Sequence, residues 1–348
     1  MHLRLFKFYI AVLLFSIALF FSSCNHSNKH QIVPAFYHWQ SQLNLSPEET
    51  SYLQKLHVQK LYLKFFDVDW DATSKQIIPL AILDVKSKPD SVEIIPTIFI
   101  TNRTLLNIGE NEIDSLSNHI TKKINAIAGK ANITFNELQF DCDWTEKTRE
   151  KYFRLINLVH KNYTQNNFSI SATIRLHQIK YYKQTGVPPV NKGMLMFYNT
   201  GDVDDVNTSN SILDLETAKK YLVNFDEYTL PLDVVLPVFS WGVLYRRGKL
   251  IQLLNNTSAN DFADTSRFIS LENNKYRVVK STYYNGTYLY SNDVIRIESV
   301  SNNTLEQAAD LLSKQIKNKN ITVAFYHLHP SIFKKYTYEE LEKALTHF

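Results

Sequence analysis

The chain has 348 residues with 38 basic against 34 acidic side chains and 44% hydrophobic content. No lysine- or arginine-rich block resembles a nucleic-acid footprint, and 8 glycines leave no phosphate-cradling loop, which argues against nucleic-acid partners and nucleotide chemistry. The 20 tyrosines and 21 phenylalanines suit sugar faces, although most of them must fill a core.

Residues 1–24 read as an export signal. His2, Arg4 and Lys7 precede the uncharged run Phe8–Phe21, and Ser22 and Ser23 lead to Cys24. The run would rise only about 21 Å as a helix, short of the roughly 30 Å hydrocarbon core. The small-small-Cys ending is similar to a bacterial lipobox, so Cys24 is the expected lipidated first residue of the mature chain; an ordinary cleaved signal is the alternative. Residues 25–31 then form a polar tether. Losing Arg4 and Lys7 lowers the formal charge from +4 to +2. Cys142 is left as the one internal cysteine, so an exported fold must stand without a disulfide. The expected location is the bacterial cell envelope, attached to the membrane by the lipid.

From residue 32 the chain alternates strands and helices. Strands are expected at 32–39, 60–70, 92–102, 137–144, 168–176, 192–200, 234–242 and 321–328. Helices are expected after Ser46, over about 112–129 with Gly129 as its close, over about 145–160, over 212–225, and twice near the end. Eight strands alternating with helices imply an α/β (β/α)8 TIM barrel over 32–348, with a doubly wound sheet as runner-up. Residues 250–300, with the hairpin signal Asn285-Gly286, read as a small β-rich insertion between strands seven and eight.

The mouth of such a barrel is built from the C-terminal ends of its strands. Those ends supply Trp39, Asp69 and Trp70, then Asp141, Asp143 and Trp144, then Arg175, Tyr198, Asn199, Trp241, Tyr326 and His327. All four tryptophans are among them. Along ELQFDCDW, Gln139, Asp141 and Asp143 share one face, while Leu138, Phe140 and Cys142 share the other, which should meet the helices. Two carboxylates roughly 6–7 Å apart raise each other's proton affinity unless a cation intervenes. A buried structural aspartate is the plainer reading. Asp67-x-Asp69-x-Asp71 lacks the glycine and distal glutamate of a calcium loop, and His327-x-His329 alone is a poor zinc site, so no metal or cofactor is expected. No G-x-S-x-G elbow exists, and Cys142 faces the wrong way for a nucleophile.

Three of these strand ends resemble glycoside hydrolase family 18, the chitinase and endo-β-N-acetylglucosaminidase group. Asp141-Cys142-Asp143-Trp144-Thr145 is similar to its fourth-strand D-x-D-W-E, Met196-Phe197-Tyr198-Asn199 to its sixth-strand motif, and Leu236–Gly242 to its seventh. The family's module before the last strand is matched by the insertion. The resemblance implies a glycan ligand and a reaction in which the substrate's acetamido oxygen is the nucleophile. It also exposes a departure: the family's acid glutamate is here Thr145, which cannot protonate a leaving oxygen. An inverting scheme pairing Asp67 or Asp69 with Asp143 or Asp141, with Asp69 and Asp143 as acid and base, is the remaining hydrolytic option. The expectation is therefore a carbohydrate-active envelope lipoprotein that hydrolyses or binds a glycan, with an inactive glycan-binding protein and a non-enzymatic scaffold as alternatives.

Overall fold

The computed structural model describes residues 30–164 and 166–348, so the leader, Cys24 and most of the tether lie outside the described residues. Eight strands close on themselves: β1 (Gln31–His38), β2 (Lys60–Asp71), β3 (Glu93–Ile100), β4 (Glu137–Asp141), β5 (Ser169–Arg175), β6 (Lys192–Met196), β7 (Leu232–Pro237) and β8 (Asn320–Tyr326). Every neighbouring pair is parallel, and the ring shuts where β1 pairs with both β8 and β2. The fold class is thus the expected (β/α)8 barrel, and the doubly wound alternative is discarded. His30 already belongs to it, its backbone N–H donating to Phe348 O at 3.2 Å and its ring contacting Asn318 O and Ser313 O.

The main helices are α1 (Pro47–Lys55), α2 (Ile113–Ala131), α3 (Arg149–Lys161), α4 (Asn302–Ser313) and α5 (Tyr338–Leu345). Helix α1 starts as its sequence signals. Ser46 Oγ accepts from Glu49 N, Glu49 Oε2 accepts from Ser46 N, and Pro47 fills the first turn, where its missing N–H costs nothing. Helix α2 runs through Gly129 and is closed instead by Asn132 in the left-handed region (φ 49°). Helix α3 begins four residues later than expected, because Thr145–Thr148 forms a turn in which Thr148 Oγ1 accepts from Thr145 N at 2.9 Å. The helix expected over 212–225 shrinks to Leu215–Lys219: Asn210 Oδ1 takes the N–H groups of Ile212 and Leu213 into a turn before it.

Two connections depart from the simple barrel. Between β2 and β3 there is no helix; Gln76–Leu80 folds back antiparallel on the end of β2 instead. Between β7 and α4 lies a five-stranded antiparallel sheet built from Ser240–Arg246, Lys249–Asn255, Phe268–Ser270, Lys275–Val278 and Val294–Ser299. It has its own small core around Leu244, Phe262, Val278 and Ile295. The run 234–242 is therefore two strands, since β7 stops at Pro237 and Ser240 opens the inserted sheet. Asn285 and Gly286, both at positive φ, turn a separate short hairpin.

Side chains pointing into the barrel are stacked in layers. At the base, Glu137 Oε2 lies 3.1 Å from Lys60 Nζ and 3.0 Å from Lys192 Nζ, and Lys192 also reaches Asp233 at 3.0 Å. Above them Tyr37 donates to Gln139 Oε1 at 2.6 Å, and Ser171 Oγ donates to Glu137 Oε1 at 2.8 Å. Glu137→Ala leaves two half-buried ammonium groups without their shared carboxylate. Destabilisation of about 3–5 kcal/mol is expected from urea unfolding, whereas an exposed pair such as Lys219–Glu216 should cost less than about 1 kcal/mol.

Candidate functional site at the barrel mouth

Above those layers the barrel opens into a cavity of about 590 Å³. Trp39, Phe99, Tyr198, Phe239, Trp241 and Tyr326 supply its rings, Asp141, Asp143 and Arg175 its charges, and Asn199, Asn255, Asn256, His327 and His329 further polar groups. The rings form a connected wall. Tyr198 stacks on Tyr326 at 5.4 Å between centroids, Trp39 lies 5.7 Å from Tyr326, and Phe239 meets Trp241 edge-on at 5.2 Å. Trp241 is fixed by its indole N–H, which donates to Glu298 Oε2 at 2.7 Å. Glu298 is itself fully buried against Arg296, with Nε–Oε1 at 2.5 Å, and accepts from Ser211 N and Oγ. A carboxylate in the inserted sheet thus sets the angle of an indole at the mouth.

Arg175, at the end of β5, joins the two aspartates. Its Nη2 is 3.3 Å from Asp141 Oδ1, and its Nε donates to Asp143 Oδ1. Asp141 is buried and also accepts from Thr173 Oγ1 at 2.5 Å, while Asp143 is exposed at the rim. Burial pushes the Asp141 carboxyl up, Arg175 opposes this, and the neighbouring Asp143 charge adds to it. Burial works against the Arg175 guanidinium, but Asp141 and Asp143 more than restore its charge. Burial also raises the Tyr198 and Tyr326 hydroxyls, leaving both as neutral hydrogen-bonding groups.

Nine of the twelve side chains expected at the mouth are brought together there: Trp39, Asp141, Asp143, Arg175, Tyr198, Asn199, Trp241, Tyr326 and His327. Three are not. Trp144 has the parity of Cys142 and points outward, fully buried, stacked on Tyr152 with its indole N–H on Thr185 O at 2.8 Å. Trp70 lies on the outer wall, because an irregularity in β2 between Lys64 and Phe66 swaps the faces of all later residues. Asp69 is spent on structure: Arg103 Nε (2.5 Å), Thr101 Oγ1 (2.7 Å) and Trp70 N (2.8 Å) all donate to it, and the Arg103 bond above all holds its carboxyl down at about 2. The pairing of Asp69 with Asp143 as acid and base has no geometric support. Thr145 and Glu146 are exposed in the turn before α3 and do not line the cavity.

Sequence reasoning missed Phe99, which looked like core, and Asn255 and Asn256, which arrive from the inserted sheet. It gave no role to Lys64, which shares the inner face of Lys60 and Tyr62, and it offered Asp67, which the β2 irregularity turns inward, only as an alternative acid-base partner. Lys64 Nζ lies 3.0 Å from Asp67 Oδ1 and 5.4 Å from the Trp39 ring centroid. Cys142 is buried among the helices, and burial raises its thiol far above the usual range. Among the described residues, no group of three or more His, Cys, Asp or Glu side chains is placed to hold a metal ion.

His38 and His327 sit below and beside the cavity, each with a buried Nδ1 that lacks a hydrogen-bond partner. Burial, with His329 nearby, lowers both from 6.5 to about 4. A depressed histidine stays neutral in the fold while the unfolded chain takes up its proton. Stability should therefore fall as pH drops from about 6.5 to about 4, by up to about 3 kcal/mol for His38. Denaturation midpoints measured between pH 7 and 4 should slope downward, and His38→Leu should flatten part of that slope.

No family model matches the chain, and no curated protein is similar to it in sequence. Solved structures are similar in shape. The spore cortex-lytic enzyme SleL of Bacillus cereus aligns at a TM-score of 0.53 and 12% identity, over 92% of this chain and 75% of that one. A chitinase from Chromobacterium violaceum aligns at 0.54 and 9%, over 91% and 99%. A family 18 chitinase from Cycas revoluta, solved in complex with (GlcNAc)4, aligns at 0.53 and 12%, over 90% and 98%. At such identities the likeness is one of fold alone: the chain shares its (β/α)8 barrel with these structures.

Proposed function

We propose that this protein binds an uncharged, N-acetylhexosamine-containing glycan in the barrel mouth and holds it without cleaving it. One observation carries the reading. The cavity is walled by six aromatic rings, yet its only two carboxylates, Asp141 and Asp143, share one arginine. Aromatic faces and neutral amide and hydroxyl groups suit a sugar. A general acid needs a protonated carboxyl within reach of the glycosidic oxygen, and the position that carries it in the resembling family is Thr145, outside the lining. The complex of the similar Cycas revoluta barrel with (GlcNAc)4 supports the choice of ligand class.

A hydrolytic reading has one observation in its favour: Asp141 lines the cavity with a raised carboxyl, as an acid would. Chitooligosaccharides and peptidoglycan fragments titrated into the protein without residues 1–24 decide between the two. Binding is expected with no release of reducing ends. Trp241→Ala and Tyr326→Ala should each weaken binding at least about tenfold, roughly 1.4 kcal/mol, as loss of a stacking ring does. Reducing ends that appear with wild type and vanish in Asp143→Asn would establish hydrolysis instead.

The same proposal places the protein in a bacterial cell envelope, held to the membrane by a lipid on Cys24. The basic, apolar and small-residue order of residues 1–24 supports it. Cys24→Ala should move the protein from the membrane fraction to the soluble fraction, and mass spectrometry of the mature N-terminus should find the diacylglyceryl mass on Cys24.

A further inference from the structure

The barrel lacks a helix between β2 and β3, and a second cavity lies on its outer wall beside that gap. The β2 irregularity turns Phe66, Val68 and Trp70 outward, and the Gln76–Leu80 strand and helix α2 rise on either side. The resulting groove encloses about 680 Å³, more than the mouth does. Its floor is apolar, with Ile77, Leu116 and Ile120 beside the three β2 side chains. Its rim is basic: Lys75, Lys122 and Lys123 all line it, and no carboxylate pairs with any of them among the described residues. The one acidic side chain there, Glu112, has Oε2 committed to Gly109 N at 2.8 Å.

We infer that this groove is a binding site for a single-chain anionic amphiphile, a long-chain fatty carboxylate. The floor would take the alkyl chain, and the three unpaired ammonium groups its head. A volume near 680 Å³ falls within the range of small-molecule sites. The charge pattern selects the sign of the head group, since a cationic or neutral detergent of equal chain length gains nothing from three lysines. An added strand is a poorer occupant, because Pro79 takes a donor out of the edge it would pair with. The groove lies outside the barrel and shares no lining residue with the mouth, so this inference and the glycan reading stand or fall separately.

Trp70 provides the test. Laurate, titrated by calorimetry below its micelle concentration into the protein without residues 1–24, should bind one to one, and a bromine-labelled fatty acid should quench Trp70 emission. Trp70→Phe should remove most of that quenching while binding persists. Lys122→Glu with Lys123→Glu should weaken laurate at least about tenfold, each exposed charge contributing a fraction of that. Ser115→Phe, which fills the groove from the helix side, should abolish uptake while circular dichroism and the unfolding midpoint stay as in wild type. Dodecyl maltoside should bind at least tenfold more weakly than laurate. The inference is overturned if laurate does not bind one to one, or binds equally well to all these variants. It is also overturned if only anionic vesicles or an acidic amphipathic peptide, and not monomeric laurate, engage the lysines.

Discussion

The barrel depends on how it neutralises its own interior. Lys60, Lys192, Glu137 and Asp233 meet at the base, where a lone charge would be costly, and each carboxylate is within 3.1 Å of an ammonium group. That closed set of charges fixes the phase of β2, β4, β6 and β7 around the ring. Everything higher follows by counting in twos. Gln139 stands above Glu137, Asp141 above Gln139, and the last of these reaches the mouth. A one-residue slip at the base would turn the aspartate outward and bring Phe140 into the bowl.

Much of this was legible in the sequence, and the limits have identifiable causes. The eight strands announced themselves by alternation with helices, and β4 could be read face by face because nothing interrupts its pleat. Trp144 shows that two rules can conflict: nearness to a strand end placed it at the mouth, while its parity with Phe140 and Cys142 placed it among the helices, and parity decided. For Trp70 no simple rule would have sufficed, because the irregularity at Phe65 is a matter of backbone geometry, while Asp69 is taken up by Arg103, which no strand pattern announces. Asn255 and Asn256 lie more than a hundred residues from β4 in the chain, and only the docking of the inserted sheet brings them near. Trp241 was found at the strand end, but its true support, Glu298 and Arg296, is equally remote.

The shape of the domain is shared where its sequence is not. The chitinase-like barrel is kept along nine-tenths of the chain at about one identical residue in eight or fewer. In the mouth, Asp141 and Asp143 share a guanidinium from β5 beside a wall of aromatic rings. A carboxylate clamped by arginine orients a ligand well and exchanges protons poorly, because the pairing favours the ionised form. Asp141 is the partial exception, since burial acts against its arginine. The proton chemistry open to the mouth resides in a triangle of three side chains, Asp141, Asp143 and Arg175.

The hydrogen bond from His30 to Phe348 gives the molecule a handle and a working end. Both strands at that seam, β1 and β8, run away from it toward the bowl, so His30 and Phe348 lie together at the floor of the barrel. For the same reason a reporter or affinity tag appended after Phe348 would sit at the foot of the domain, and joining the two ends by a short linker would give a permuted protein whose new termini could be opened elsewhere without touching the rim.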